Sequence, residues 1–404
     1  MAKNDKKLIY LDYASATPVD VSVQKSMDSF RSFFANPSAI HKSGVLVRSV
    51  IESNREKIAK FINAHSDEII FTGSGTESVA IAILGTIYKY KGKKIPHIIT
   101  TSIEHPSVLE NCRMLEKNNY AEVTYINPDE FGIINPNNIR DSLKSNTILV
   151  SVSYANNEIG TIEPIVDIAK TIRYVRKKNN SIFPIFHTDA CQAINYLDIS
   201  NVDKLGVDLM SFNSSKIYGP KGIGVLYKRR NISLEPIYYG GGQESCLRSG
   251  TENLLSIVGL TKALEITEKV KLKEFKRLTS IRDYGIKKLL SLSGKIGRYQ
   301  FLLNGSKEKR LPNNINISIS EIPSELLVVE LDARGIEVSS KSACKSDDPD
   351  ESYVISAIRN AKGLKQNSVE GSIRITLGRE TKRTDIDNLF NAIKLILTKY
   401  SKWK

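Results

Sequence analysis

VDLMSFNSSK, residues 207–216, runs from an apolar stretch through three small polar residues to a lysine. VDLMSF has the length and composition of a buried strand, so Lys216 falls at a strand end. Desolvating a lysine is costly, and the residue is rarely placed there without a reason. The same desolvation lowers the amine pKa and makes it a usable nucleophile for Schiff-base chemistry.

Six further apolar runs resemble VDLMSF. They are EIIF (68–71), HIITT (97–101), AEVTYI (121–126), TILVSVS (147–153), IFPIFHT (182–188) and IGVLY (223–227). Helix-period stretches lie between most of them, at 76–88, 107–116, 136–143 and 165–177. The alternation predicts an α/β fold: a mostly parallel seven-stranded sheet with helices on both faces. From about Ser256 the texture changes to a long charged amphipathic helix reaching roughly Leu292, the strand-like LPNNINISI (311–319) and a final helix from Asp385. This predicts a large domain over 17–258 and a smaller α+β domain from 1–16 and 259–404.

Ligands of an open parallel sheet bind beyond the carboxyl ends of its strands. Five of those ends carry chemistry. EIIF is followed by TGSGTES (72–78), an anion cradle at a helix start. HIITT leads to His105, TILVSVS to Asn156 and Asn157, IFPIFHT to Asp189 and Gln192, and VDLMSF to Lys216. A phosphate cradle, an imidazole, an amide, a carboxylate and a Schiff-base lysine form the set that pyridoxal phosphate requires. Each alone is an ordinary feature of an α/β protein; the ordered set points to that cofactor.

The chain has 404 residues and a net charge of +14, with 41% hydrophobic and 25% charged residues. Its lysines are scattered, and no basic cluster is interleaved with aromatics, so direct nucleic-acid binding is not expected. The charge reads first as a generally lysine-rich composition, with attraction to an acidic protein partner second. No signal peptide or membrane-length apolar run is visible, and a cytoplasmic location with no membrane contact is expected. The four cysteines, Cys112, Cys191, Cys246 and Cys344, include no CxxC and no Cys/His cluster with zinc-ligand spacing, so no metal site is expected.

Further motifs extend the pattern: YLDYASATPVD (10–20), NPSAIHKSG (36–44), FTGSGTES (71–78), EHPSVL (104–109), NNEIG (156–160), HTDACQ (187–192), SFNSSKIYGPKGIG (211–224), GGGQE (240–244), LRSGTEN (247–253), SSKSAC (339–344) and SIRITLGR (372–379). Together they resemble a cysteine desulfurase of the long-catalytic-loop group, in the class V aminotransferase family of fold-type I pyridoxal phosphate enzymes. The resemblance implies that Lys216 is the Schiff-base lysine, that Asp189 pairs with the pyridinium nitrogen, and that His105 stacks on the ring and moves protons. Asn157 and Gln192 are implied to contact the ring oxygen. Gly75, Thr76, Asn213 and Ser215 are implied to hold the phosphate, and Thr251 to reach the cofactor of the other subunit of a homodimer. Arg374 is implied to clamp the carboxylate of L-cysteine, with Asn157 beside it.

Cys344 then aligns with the nucleophile that takes the substrate sulfur as a persulfide, leaving L-alanine. The sulfur is passed to an acceptor protein of iron–sulfur cluster assembly or tRNA thiolation. Lys341 and Lys345 favour the thiolate that such a cysteine needs. Cys191 is read as a packing residue beside Asp189. The chain departs from the family pattern at Ser215, where the family has histidine, and at Val79 and Ala80 in the cradle helix. A serine hydroxyl offers one neutral hydrogen bond, so weaker cofactor retention is expected. The alternatives are a selenocysteine lyase or other class V pyridoxal phosphate enzyme, which has no need of Cys344, and a degenerate desulfurase-like scaffold, which has no need of Lys216.

Overall fold

The computed structural model describes residues 8–92, 94–340, 352–363 and 370–402. The chain begins with the short strand β1 (Ile9–Tyr10) and helices α1 (Val21–Asp28) and α2 (Lys42–Phe61). Then strands and helices alternate: β2 (Ile69–Thr72), α3 (Gly75–Lys89), β3 (His97–Thr101), α4 (Pro106–Lys117), β4 (Glu122–Ile126), α5 (Pro136–Asp141), β5 (Thr147–Ser151) and α6 (Ile165–Asn179). The series closes with β6 (Ile185–Asp189), α7 (Val202–Leu205), β7 (Leu209–Asn213) and β8 (Gly224–Lys228).

Strands β2 to β8 form one seven-stranded sheet in the order β2-β8-β7-β6-β5-β3-β4. The neighbours from β7 to β4 are all parallel, while β8 is antiparallel to both β2 and β7. The expected mostly parallel sheet with flanking helices is therefore present. Its strands are apolar throughout because both faces are covered. Ile98, Leu149, Ile185, Leu209 and Leu226 pack toward α3 and α4. Their chain neighbours Ile99, Val150, Phe186, Met210 and Val225 point the other way, into a core shared with α2 and α6. This is the two-residue period of a strand. Chain order reverses between β3 and β5, so the crevice beyond their carboxyl ends is the sheet's natural ligand site.

Helix α8 (Leu254–Leu290) carries the chain away from this sheet. Its first turns bury Ile257, Leu260 and Leu264 in the large core. Its later turns bury Leu278, Ile281, Ile286 and Leu289 in a second core. That core is closed by β9 (Phe301–Leu303), β10 (Asn314–Ser320), α9 (Ser324–Asp332), β11 (Ile336–Glu337), β12 (Glu370–Thr376) and α11 (Arg383–Tyr400), while α10 (Tyr353–Ala361) packs Val354, Ile355 and Ile358 against Ile103 and Ile159 in a separate small cluster. Strands β12, β10 and β9 form a three-stranded antiparallel sheet. The N-terminus joins the second core too, since β1 pairs in parallel with β11 and Leu11 packs there. None of the described helices is long and apolar enough to cross a membrane.

Ile317 is fully buried at the centre of β10, flanked by both neighbouring strands. Ile317→Ala should cost roughly 2–5 kcal/mol through lost contact and a residual cavity. The measurement is the shift in urea midpoint, with the slope unchanged.

Candidate active site

A cavity of about 260 Å³ opens beyond the carboxyl ends of β3, β5, β6 and β7. Lys216, Asp189, His105 and Asn157 line it, as do Gln192, Asn213 and Ser215. Gly75 and Thr76 reach it from the start of α3, and Arg374 from β12. Ten sequence-predicted residues thus meet in one place. Thr251 does not: it is exposed, in a separate hollow with Glu77, Tyr239 and Arg248. Cys344 and its neighbours Lys341 and Lys345 lie outside the described residues.

The α3 end is built by local capping. Ser74 accepts a hydrogen bond from the Glu77 amide at 3.1 Å, while the Gly73 amide donates to Glu77 Oε2 at 2.6 Å. The Gly75 and Thr76 amides are among the first-turn donors without a helical acceptor, at the positive end of the helix. A Cβ on Gly75 would sit 2.7 Å from Cys191 Sγ and 2.8 Å from Asn213 Nδ2. Only glycine fits that approach. Asn213 Nδ2 donates to Cys191 Sγ at 3.4 Å, and Ser215 Oγ donates to Asn213 Oδ1 at 3.2 Å. Cys191 therefore does more than pack: it orients a cavity amide. Burial first, and then the Asp189 charge, pushes its thiol well above the ordinary value, so it stays protonated.

His105 caps α4. Its Nδ1 accepts from the Ser107 amide at 3.1 Å, and an amide can only donate, so the neutral ring carries its proton on Nε2. Burial holds its pKa below the usual 6.5; Asp189 opposes that effect, while Lys216 and Arg374 reinforce it. Glu104, one residue earlier, is fully buried and pushed up to about 8 by burial. It accepts from Thr101 Oγ1 at 2.9 Å and from the Ser153 amide. This clamps the turn that carries His105.

Of the two adjacent amides only Asn157 lines the cavity. Asn156 is structural: its Nδ2 donates to Ile103 O at 2.8 Å and its Oδ1 accepts from the Glu158 and Ile159 amides. Asp189 ends β6 and accepts from the Cys191 amide at 2.9 Å.

The segment Asp12–Thr17 closes the remaining wall. Lys216 Nζ donates to Ser15 O. Gln192 Nε2 donates to Ala14 O at 3.0 Å. Arg374, 1% exposed, donates through Nη2 to Asp12 Oδ1 at 2.8 Å and to Ser15 Oγ at 2.6 Å, and through Nη1 to Asn157 O at 3.2 Å. Asp12 and Ser15 lie within YLDYASATPVD, where no local pattern assigns either a role. The only available signal was a conspicuously polar stretch directly after a short strand. Among the described residues no His/Cys/Asp/Glu group could hold a metal ion.

The described residues that flank the Cys344 segment also border this site. Ser339 pairs with the backbone of Arg374. On the far side, Tyr353 Oη donates to Glu104 O at 2.6 Å, and Ser352 Oγ donates to Glu158 Oε2.

Residues 9–389 match the family Aminotransferase class-V. A cysteine desulfurase IscS from Dictyoglomus turgidum is 43% identical over 397 residues, covering 98% of this chain and 95% of that protein. Among solved structures, a "NifS-like protein" superposes with a TM-score of 0.86 at 32% identity, covering 97% of this chain and 100% of that one. Another, "SspA in complex with cysteine", gives a TM-score of 0.75 at 34% identity over 91% of this chain and 98% of that one.

Two buried histidines tune the sheet to pH. His187, hydrogen-bonded to Ser151 and Ser211 at 2.8 and 3.0 Å, is held at about 4 by burial. His97 is held at about 4 mainly by burial as well. Their folded pKa values lie below the ordinary 6.5, so the unfolded chain takes up protons first. Stability should therefore fall as pH drops from about 6.5 to about 4. His187→Gln should show a shallower fall in urea-melt stability over that window than the parent protein.

Proposed function

The chain belongs to the class-V aminotransferase family, in its cysteine desulfurase branch on fold-type I, and from that membership we propose that it converts L-cysteine to L-alanine with pyridoxal 5'-phosphate as cofactor. One observation carries the reading: a lysine amine, a buried carboxylate, a neutral imidazole and an arginine line the same cavity beside a glycine-lined helix start. Bound there, the cofactor supplies the electron sink that makes the substrate carbon–sulfur bond labile.

The residues present fit that cofactor. The glycine at 75 leaves room against Cys191 and Asn213 for a phosphate at the helix start, with Thr76, Asn213 and Ser215 beside it. Ser215 has one hydroxyl, already engaged with Asn213, so it serves the phosphate chiefly by orienting that amide. Asp189 would pair with the ring nitrogen, and Asn157 and Gln192 with the ring oxygen. Lys216 would anchor the cofactor covalently; until then its amine is held by Ser15 O. His105 has its proton on Nε2, and burial keeps its pKa below the usual value, so the ring meets the substrate neutral and would pass protons through Nε2. Arg374 would take the substrate carboxylate.

In the reaction Cys344–SH attacks the substrate sulfur. L-cysteine and Cys344–SH become L-alanine and Cys344–S–SH, with no net oxidant consumed. The persulfide sulfur then passes to an acceptor protein of iron–sulfur cluster assembly or tRNA thiolation in the cytoplasm. We further propose a homodimer, with Thr251 reaching the partner's cofactor from its exposed position, and a division into a large domain, 17–258, and a small one, 1–16 with 259–404.

With pyridoxal phosphate and a thiol reductant, the protein should release equal amounts of alanine and sulfide from L-cysteine, and Cys344→Ala should release neither. A holoprotein that binds L-cysteine but yields no alanine would sink the reading. Gly75→Ala should weaken cofactor binding by about 1–3 kcal/mol of overpacking, read as lost visible absorbance after gel filtration.

A further inference from the structure

We propose that Ser15 is a second seat for the substrate carboxylate, so that Arg374 and Ser15 bind it jointly. The inference rests on the cavity being an amino-acid site, as above, and adds a residue to it. Three observations carry it.

The first is how Arg374 spends its donors. Nη2 has two protons, and both are taken, by Asp12 Oδ1 and by Ser15 Oγ. Nη1 is turned to Asn157 O. Nε is buried and has no hydrogen-bond partner among the described residues. A guanidinium usually grips a carboxylate through two parallel N–H bonds. Here the Nε–Nη2 edge cannot make that grip unless Asp12 or Ser15 gives way, because Nε is sealed and both Nη2 protons are taken.

The second is the state of Ser15. Its Oγ accepts from Arg374, which leaves its own proton to donate, and no described residue accepts it. Ser15 lines the cavity, and its Oγ lies 2.6 Å from Arg374 Nη2. The uncommitted donors, Arg374 Nε–H and its second Nη1–H together with Ser15 Oγ–H, therefore belong to one contact pair, and of these Nε is sealed from the cavity. A carboxylate has two oxygens to offer: one for the second Nη1 proton of Arg374 and one for the hydroxyl. Ser15 thereby passes to the substrate the hydrogen bond that Nη2 has already committed.

The third is electrostatic. Asp12 neutralises much of the Arg374 charge across a contact of 2.8 Å in a setting where the guanidinium side chain is 2% exposed. A carboxylate arriving there meets a pair with little net charge. Directed donors must then supply the selectivity, which raises the share carried by the Ser15 hydroxyl.

The test uses the protein loaded with pyridoxal phosphate and follows the cofactor's visible spectrum. L-alanine is titrated against ethylamine, the same amine without the carboxylate. Ser15→Ala should weaken L-alanine about 10-fold or more, the scale of one hydrogen bond to a charged group. Ethylamine should be unaffected, and Ser15→Thr, which keeps a hydroxyl, should recover the L-alanine affinity. In turnover, Ser15→Ala should raise KM for L-cysteine with kcat largely retained. The inference is overturned if L-alanine and ethylamine weaken equally, because Ser15 would then act through its carbonyl on Lys216 or through the fold. It also fails if L-alanine binding is unchanged, or if the threonine variant is as weak as the alanine one. The spectra do not require desulfuration. A wild-type protein that is inert on cysteine but shows this contrast would refute the proposed reaction and leave the seat standing.

Discussion

A guanidinium sealed from water must be paired, because an uncompensated buried charge costs several kcal/mol. Arg374 meets that demand with groups from two distant places: Asp12 and Ser15 after β1, and the Asn157 carbonyl after β5. It projects from β12 of the small sheet. Satisfying one side chain therefore brings the small sheet, the N-terminal segment and the switch point of the large sheet to a common point. The cavity is the space left between them.

The N-terminal segment is the structural intermediary. Thr17 exchanges hydrogen bonds with the turn that carries Lys216, through its amide and hydroxyl to Ser215 O and from the Tyr218 amide to its Oγ1. Ser15 touches both Lys216 and Arg374, and Ala14 accepts from Gln192. Six consecutive residues thus set the distance between the lysine and the arginine. A second buried pair stiffens the opposite side: Arg55 binds Glu244 through two contacts of 2.7 Å, and Glu244 also accepts from the Phe71 amide at the strand leading to α3. The left-handed backbone of Glu244, at φ 46°, is the local cost of that arrangement.

Burial sorts the titratable groups around the site by role. Cys112, on α4, is pushed up to about 12 and Cys191 well above its ordinary value, so neither offers a thiolate at neutral pH. Glu104 is held near 8 and spends its oxygens on the turn beneath His105. His105 and His187 are pushed the other way and stay neutral. Lys216, Asp189 and Arg374 remain as the cavity groups given a covalent or ionic role.

Much of this was legible in the chain. The strands around VDLMSF, the helices between them and the polar residue after each strand end depend on local periodicity, and the sheet's switch point follows from their order. Lys216, Asp189, His105 and the Gly75 turn could be named because each sits one short step from a strand. Arg374 and Cys344 required the family resemblance, since neither closes a strand of the large sheet. The choice of Asn157 over Asn156 also came only from the resemblance, and what the chain could not show was that Cys191 holds the Asn213 amide and that Asp12 and Ser15 engage Arg374. Those contacts join residues far apart, up to 362 positions in the case of Asp12 and Arg374. Local pattern records which face a side chain occupies, but not which distant group must come near to satisfy its last hydrogen bond; only the packed tertiary structure settles that.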